Sequence, residues 1–192
     1  MHPPIGLISS TMQPIIGEQQ PVKRKSHIVT EEKFYANGIE YSVHDAPQRM
    51  RKEMPNVFPG VDFKGLLIIP TFQRTDLDLT SIGPAIEEVK DDCLEKFHRW
   101  GSAVCNAIVE RGYWADLADP ATGYPMLGEP GTSFYPEVIG AQTLLGYDMI
   151  LTGCCQMLCH PLYGTKVYPA SMFTTAPRDV LAECFAQCTD AA

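Results

Sequence analysis

The strongest structural signal in this sequence is a stripe of apolar residues at helical spacing. Its members follow one another at intervals of three or four residues: Ile82, Ile86, Val89, Cys93, Phe97, Trp100, Val104 and Ile108. That spacing places them on one face of an α-helix. We predict a helix from about Pro84 to Glu110, because proline suits a first turn and Gly112 suits the position after a helix end. At about 1.5 Å per residue the helix is about 40 Å long, so it should be the central packing element.

Shorter strand and helix patterns surround the long helix. Alternating or continuous apolar runs predict strands at residues 39–43, 63–72, 148–160 and 166–175. Shorter helices are predicted at residues 47–54 and 177–187, and a hairpin at residues 113–127. Residues 128–147, rich in glycine and proline, predict a long loop with a helical turn at residues 137–144. Pro70 lies inside the second strand, and since proline cannot donate to a sheet ladder, we expect a sheet edge or a strand end there. Strands and helices that mix without a repeating strand–helix–strand rhythm predict an α+β fold.

The composition fits one packed domain preceded by a short leader. The chain has 192 residues, of which 45% are hydrophobic and 20% charged, so it can bury a core. Residues 1–26 carry several prolines and glutamines, and we expect a flexible leader there, with the domain covering residues 27–192. The leader shows no secretory or clear mitochondrial signal, so the cytoplasm is the expected compartment.

The charge balance and the cysteine count exclude several classes of partner. The net charge is −8 and the pI about 5.0, which argues against nucleic acid and anionic membranes, since both attract basic surfaces. No uncharged apolar run approaches the roughly 20 residues that a membrane span needs. Seven cysteines, an odd number, in a chain without a signal peptide predict reduced thiols.

Four metal-binding or redox-active side chains crowd into residues 154–160, which read Cys-Cys-Gln-Met-Leu-Cys-His. A zinc site is disfavoured, because Cys155 and Cys159 on one strand lie roughly 13 Å apart and no second cysteine pair of suitable spacing exists. A disulfide between Cys154 and Cys155 is also disfavoured. Their Cα atoms are about 3.8 Å apart, whereas disulfides prefer about 4.4–6.8 Å.

Strand alternation separates the two adjacent cysteines. One face carries Cys155 together with Leu151, Met157 and Cys159, and the other carries Cys154 together with Thr152, Gln156 and His160. The first set is apolar, so we expect Cys155 in the core and Cys154 at the surface. Gly153 leaves room for a bulky ligand beside Cys154. The alternative that both cysteines are inert and buried stays open, and His160 is interpreted as a structural histidine at a strand end.

Several short motifs together resemble one known family, the CblD cobalamin-trafficking proteins. The matching segments are Gly112-Tyr113-Trp114-Ala115-Asp116, Asp119-Pro120, Gly123, Leu145-Gly146, Gly153-Cys154-Cys155, His160, Leu162, Gly164-Thr165 and Phe173-Thr174. Their order and spacing make the resemblance specific from about residue 112 to residue 177, and residues 39–59 resemble the family more weakly.

The resemblance implies a fold similar to flavin nitroreductases, without flavin and without enzymatic activity. It implies a partner, the cobalamin-processing protein CblC, which holds the cofactor, and delivery toward methionine synthase and methylmalonyl-CoA mutase. It also implies that Cys154 bonds to the cobalt of cobalamin held by CblC, so that no cofactor is bound by this chain alone. Cys155, the second cysteine of the motif, would take part as a packing residue or a redox relay.

The sequence departs from the family pattern between the cysteine pair and His160. The family carries basic residues there, whereas this chain has Gln156 and Cys159, which predicts less thiolate at neutral pH. Two other functions remain as alternatives: a flavin-dependent reductase of the nitroreductase type, and an interaction domain whose cysteines are inert.

Overall fold

A computed structural model describes residues 32–153 and 155–188. The strands are β1 (Phe34–Ala36), β2 (Ile39–Tyr41), β3 (His44–Asp45), β4 (Leu67–Arg74), β5 (Ala115–Ala118), β6 (Asp148–Thr152), β7 (Cys155–Cys159) and β8 (Val167–Thr174). The helices are α1 (Gln48–Val57), α2 (Pro84–Val109), α3 (Glu137–Leu145) and α4 (Arg178–Gln187). The predicted leader at residues 1–26 lies outside the described residues.

The described strands form two antiparallel sheets. The larger has the order β1-β2-β4-β8-β5, and β3 pairs with another part of β4. The smaller consists of β6 and β7. Helices α2 and α4 cover one face of the large sheet, and α1 and α3 pack with the buried residues of its other face. The prediction of an α+β fold is therefore confirmed.

The long helix α2 lies where the apolar stripe predicts it. Trp100 is fully buried and stacks on Phe185 of α4, with ring centroids 5.7 Å apart and planes 4° apart. Cys93 is buried, as its place in the stripe predicts. Ile82, in contrast, is 97% exposed, because Gly83 has a φ of 146° and breaks the helical phase before the helix begins.

One glycine lets α2 approach the sheet closely. A Cβ atom on Gly101 would lie 2.8 Å from Cδ2 of Leu117 in β5, closer than packed side chains come. Leu117 is itself fully buried. The missing side chain at Gly101 therefore makes room for Leu117 and draws the middle of the helix onto strand β5.

The expectation that Pro70 marks an edge or a strand end is wrong. It lies inside β4, which pairs with β8 along its whole length on one side. On the other side, β2 pairs as far as Thr71 and β3 pairs from Ile68, so the partner strand is interrupted opposite Pro70. The Pro70 carbonyl accepts a hydrogen bond from Ser42 at 3.3 Å, which shows that its missing N–H faces this interruption. Ser42 lies opposite Pro70 in this register, so the central strand accommodates proline by losing one ladder hydrogen bond on this side and none on the side of β8.

The other predicted elements agree with the structure except at three places. One is the predicted loop at residues 128–147, where the structure has the nine-residue helix α3 in place of a helical turn. The segment 148–160, predicted as one strand, forms a hairpin of β6 and β7, in which Thr152 pairs with Cys155. Gly153 has a φ of 62° and follows β6, so it takes a backbone conformation that ends a strand. The predicted hairpin at residues 113–127 reduces to β5 and a single bridge between Ala118 and Pro125.

Replacing Trp100 with alanine should lower the free energy of unfolding by about 3–5 kcal/mol, because it removes a fully buried aromatic side chain from the centre of the core. The urea midpoint measures the loss. Ile82→Ala is the matched control and should change stability by less than about 0.5 kcal/mol, since that side chain is exposed. Equal effects of the two substitutions would contradict this description of the core.

Candidate functional site

The hairpin of β6 and β7 carries the cysteine pair and stands apart from the main sheet. None of the five residues of β6 is buried, and Leu151 is 75% exposed. Cys154, the predicted cobalt ligand, lies outside the described residues. The residues on either side of it, Gly153 and Cys155, are both exposed. The hairpin therefore presents the residues that flank Cys154 at the surface.

The prediction that Cys155 belongs to the core is wrong. Leu158 and His160 are the buried residues of this segment, with exposed fractions of 3% and 1%. Since side chains alternate along a strand, burial of residues 158 and 160 turns the face of Cys155 and Cys159 outward. Cys155 is accordingly exposed and Cys159 half-buried.

His160 is held in the interior by hydrogen bonds and aromatic contacts. Its Nδ1 accepts the backbone N–H groups of Leu162 and Tyr163 at 3.2 and 3.3 Å, so this nitrogen carries no proton. Its Nε2 therefore donates to Oε1 of Glu40 at 3.2 Å. The ring stacks on Tyr163 with centroids 4.4 Å apart. This environment agrees with the interpretation of His160 as a structural residue.

Glu40 of β2 is the acceptor at the centre of this cluster. It is 2% exposed and also accepts hydrogen bonds from Lys33 at 2.6 Å, Tyr35 at 3.1 Å and Tyr163 at 3.2 Å. Burial alone would raise the pKa of Glu40, but the hydrogen bonds from His160 and Lys33 outweigh it and lower the pKa to about 2. The ionised carboxylate therefore joins β1, β2 and the loop that follows β7.

The second basic residue near the cysteine pair in sequence, Lys166, is engaged elsewhere. Its Nζ donates to the backbone carbonyl of Asp76 at 3.0 Å. Residues 145–165, which contain the whole hairpin, include no lysine or arginine. The hairpin thus supplies no cation of its own to stabilise a thiolate.

A cavity of about 370 Å³ lies between the hairpin and helices α2 and α3. Glu137, the first residue of α3, lines it together with Gln156 and Met157 of β7. Its Oε1 accepts a hydrogen bond from Ser171 at 2.7 Å, and its Oε2 has no partner among residues 32–153 and 155–188. Burial raises the pKa of Glu137 to about 7. The sequence pattern does not reveal this acid, because a glutamate at a helix start is usually exposed.

A second opening adjoins this cavity, and a larger groove lies elsewhere. The adjoining opening, about 380 Å³, is lined by Phe134, Ile139, Glu137 and Gln156 among others. The larger groove, about 420 Å³, lies between β1, β2 and α4 and contains no residue of the hairpin. The two openings on the α3 side are therefore lined in part by Gln156, the residue after Cys155.

Within residues 32–153 and 155–188, no group of three or more histidine, cysteine, aspartate or glutamate side chains is arranged to hold a metal ion. None of the helices in these ranges is both long enough and apolar enough to cross a membrane.

Comparison with known proteins gives one consistent result. A family model described as "Methylmalonic aciduria and homocystinuria type D protein" matches residues 7–183. The human protein named cobalamin trafficking protein CblD is 31% identical over 163 residues, which are 85% of this chain and 55% of that protein. The chicken protein of the same name is 30% identical over 159 residues, 82% and 54% of the two chains. The chain thus spans about half the length of the curated relatives it matches.

Replacing Glu40 with glutamine should lower the free energy of unfolding at pH 7 by about 2 kcal/mol, because the hydrogen bonds from Lys33 and His160 lose their charged acceptor. The Glu40 carboxyl has a pKa of about 2 in the folded protein, against an ordinary value of 4.5, so its ionised form stabilises the fold above pH 4.5. This stabilisation is lost as the pH falls through 2. Urea unfolding should show that the difference in the free energy of unfolding between variant and wild type is smaller at pH 3 than at pH 7. A difference that stays constant would contradict an ionised, hydrogen-bonded Glu40.

The opposite pH dependence is expected for Glu137. The pKa of Glu137 in the folded protein, about 7, lies above the ordinary value of 4.5. Its contribution to the free energy of unfolding is therefore complete below pH 4.5 and declines by about 3 kcal/mol as the pH rises through 7. Glu137→Gln should remove this decline, which urea midpoints between pH 5 and pH 8.5 will measure. Glu88→Gln, an exposed substitution on α2, is the control and should follow the wild type. Parallel curves for wild type and Glu137→Gln would refute the assignment.

Proposed function

Since this chain belongs to the methylmalonic aciduria and homocystinuria type D protein family, we propose that it is a cobalamin-trafficking adaptor without catalytic turnover of its own. Its cargo is cobalamin held by a second protein, a processing protein of the CblC type. The fold proposed for this role is the nitroreductase-like arrangement without flavin. A flavin-dependent reductase gains no support from the family match.

The chemistry assigned to the adaptor is ligation of cobalt by the Cys154 thiolate. Thiolates are soft ligands that suit transition metals. Cys154 loses its proton to solvent and its sulfur replaces a water molecule on cobalt, so the oxidation state of the metal does not change. Because residues 145–165 supply no cation, coordination itself drives the proton loss.

The observation that carries this assignment is the exposure of both chain neighbours of Cys154. Gly153 and Cys155 lie at the surface of a hairpin that forms a sheet of its own, separate from the main sheet. A cobalt atom enclosed in a corrin ring can be reached only by a ligand that projects from its surroundings. Gly153 adds no side chain on one side, and exposed Cys155 offers a second sulfur on the other.

The docking surface for the partner would consist of the segment at residues 128–147, which includes α3, and the loop at residues 161–165, together with the hairpin. Exposed apolar side chains mark this region: Phe134 is 55% exposed, Leu162 71% and Leu151 75%. Apolar patches of this kind indicate protein interaction sites. Onward transfer toward methionine synthase in the cytosol, and toward methylmalonyl-CoA mutase, completes the proposed role.

A spectral titration tests the assignment of Cys154. Adding this protein to the CblC-type partner loaded with cobalamin should shift the cobalt absorption bands, because sulfur replaces oxygen on the metal. Cys154→Ser should abolish the shift. Cys155→Ser, which alters the adjacent sulfur in the same hairpin, should retain it. An undiminished shift with Cys154→Ser would exclude that residue as the ligand.

A further inference from the structure

Strand β6 is an open sheet edge. Within the described ranges it pairs only with β7, and the pair forms a sheet of its own. An isolated two-stranded hairpin is marginally stable in water. Its attachment to the core comes mainly through β7, whose Leu158 is buried, whereas every residue of β6 is at least partly exposed.

The short connection fixes which backbone groups face the open side. Thr152 pairs with Cys155, so only two residues connect the strands, and such a connection makes the closing residues a hydrogen-bonded pair. Hydrogen-bonded and non-hydrogen-bonded pairs then alternate along the hairpin. Ile150 therefore bonds inward to Met157, and the N–H and C=O groups of Met149 and Leu151 point away from β7. These two outward positions are about 6.8 Å apart, the repeat of an extended chain.

The edge lacks the features that usually prevent strand addition. Exposed edges commonly carry lysine, proline or a bulge, or are very short. Strand β6 contains neither lysine nor proline, and its five residues pair with β7 without a bulge. Asp148, at its first position, is its one charged residue, and Ile150 and Leu151 are 37% and 75% exposed. An edge of this kind is suited to pairing with another chain.

We propose that an extended segment of the corrinoid-carrying partner adds to β6 as a third, main-chain hydrogen-bonded strand. The inference rests on the proposed function and specifies how the partner docks. Only an extended backbone matches donors and acceptors two residues apart, and apolar side chains on it would cover Ile150 and Leu151. Leu151 precedes Cys154 by three residues, about 10 Å along the chain, so a strand at this edge brings the partner beside the cysteine.

The partner, and not a second copy of this chain, is assigned as the source of the added strand. Each copy carries a net charge of −8, which opposes self-association. Strand addition from the partner also serves the proposed transfer, because it orients the turn between β6 and β7 toward the cobalt.

Two substitutions at one position separate main-chain pairing from side-chain contact. Leu151→Pro removes an outward N–H, while the inward hydrogen bonds of the hairpin remain. Leu151→Thr keeps that N–H and a strand-favouring side chain. Calorimetric titration against the CblC-type protein loaded with cobalamin should show affinity reduced at least tenfold for Leu151→Pro and less than about threefold for Leu151→Thr. Should Leu151→Pro alter amide exchange in β7, Met149→Pro removes the other outward N–H and should give the same tenfold loss.

Three results would overturn the proposal. Unchanged affinity of both proline variants would exclude an added strand. Equal losses for Leu151→Pro and Leu151→Thr would indicate an apolar side-chain contact instead. A wild-type dimer in light scattering that Leu151→Pro dissociates would assign the edge to a second copy. Failure of the proposed function looks different, because binding that depends on Leu151 but gives no cobalt spectral shift would leave the added strand standing and remove the role of Cys154.

Discussion

The buried carboxylate of Glu40 is the constraint on which the candidate site depends. It accepts hydrogen bonds from Lys33 and Tyr35, just before and within β1, and from His160 and Tyr163 in the chain that follows β7. Fixing His160 in the interior determines which side of β7 faces the core, since side chains alternate along a strand. The hydrogen-bond cluster around Glu40, on the inner side of β7, thus turns the face that carries Cys155 and Cys159 outward.

Around this cluster the described residues divide into a large sheet covered by helices and a small attached hairpin. The large sheet is clamped between α2 with α4 on one face and α1 with α3 on the other, and most large apolar side chains lie in those two layers. The hairpin packs on the face covered by α1 and α3, through the buried side chains of Leu158 and His160. The described part of the hairpin is thus anchored by two buried side chains, while no residue of β6 is buried.

The parts of the fold that follow from the sequence are those where one pattern has one structural meaning. A stripe with steps of three and four residues over more than twenty residues fits only a long helix, and α2 ends within one residue of the prediction. Alternation in residues 148–160 is compatible with one strand or with two strands joined by a tight turn. Gly153 is the residue whose backbone decides between them.

The sequence pattern also could not predict which face of β7 is buried. Leu151, Met157 and Cys159 are more apolar as a set than the opposite face, yet His160 is buried because Glu40, 120 residues earlier, provides its acceptor. Pairwise hydrogen bonds across such separations leave no periodic trace. The burial of Glu137 could not be predicted for the same reason, since it depends on the packing of α3 against β8.

Pro70 also limits how this chain can misfold. In the native register its missing N–H faces Ser42, where the ladder to β2 and β3 is interrupted, and the eight pairs between β4 and β8 stay intact. A shift of β4 by one residue would turn this position toward β8, interrupt the longest ladder of the sheet and turn every side chain of β4 to the opposite face. The proline thereby acts as a register marker during assembly of the sheet, disfavouring slipped pairings before the core has closed around them.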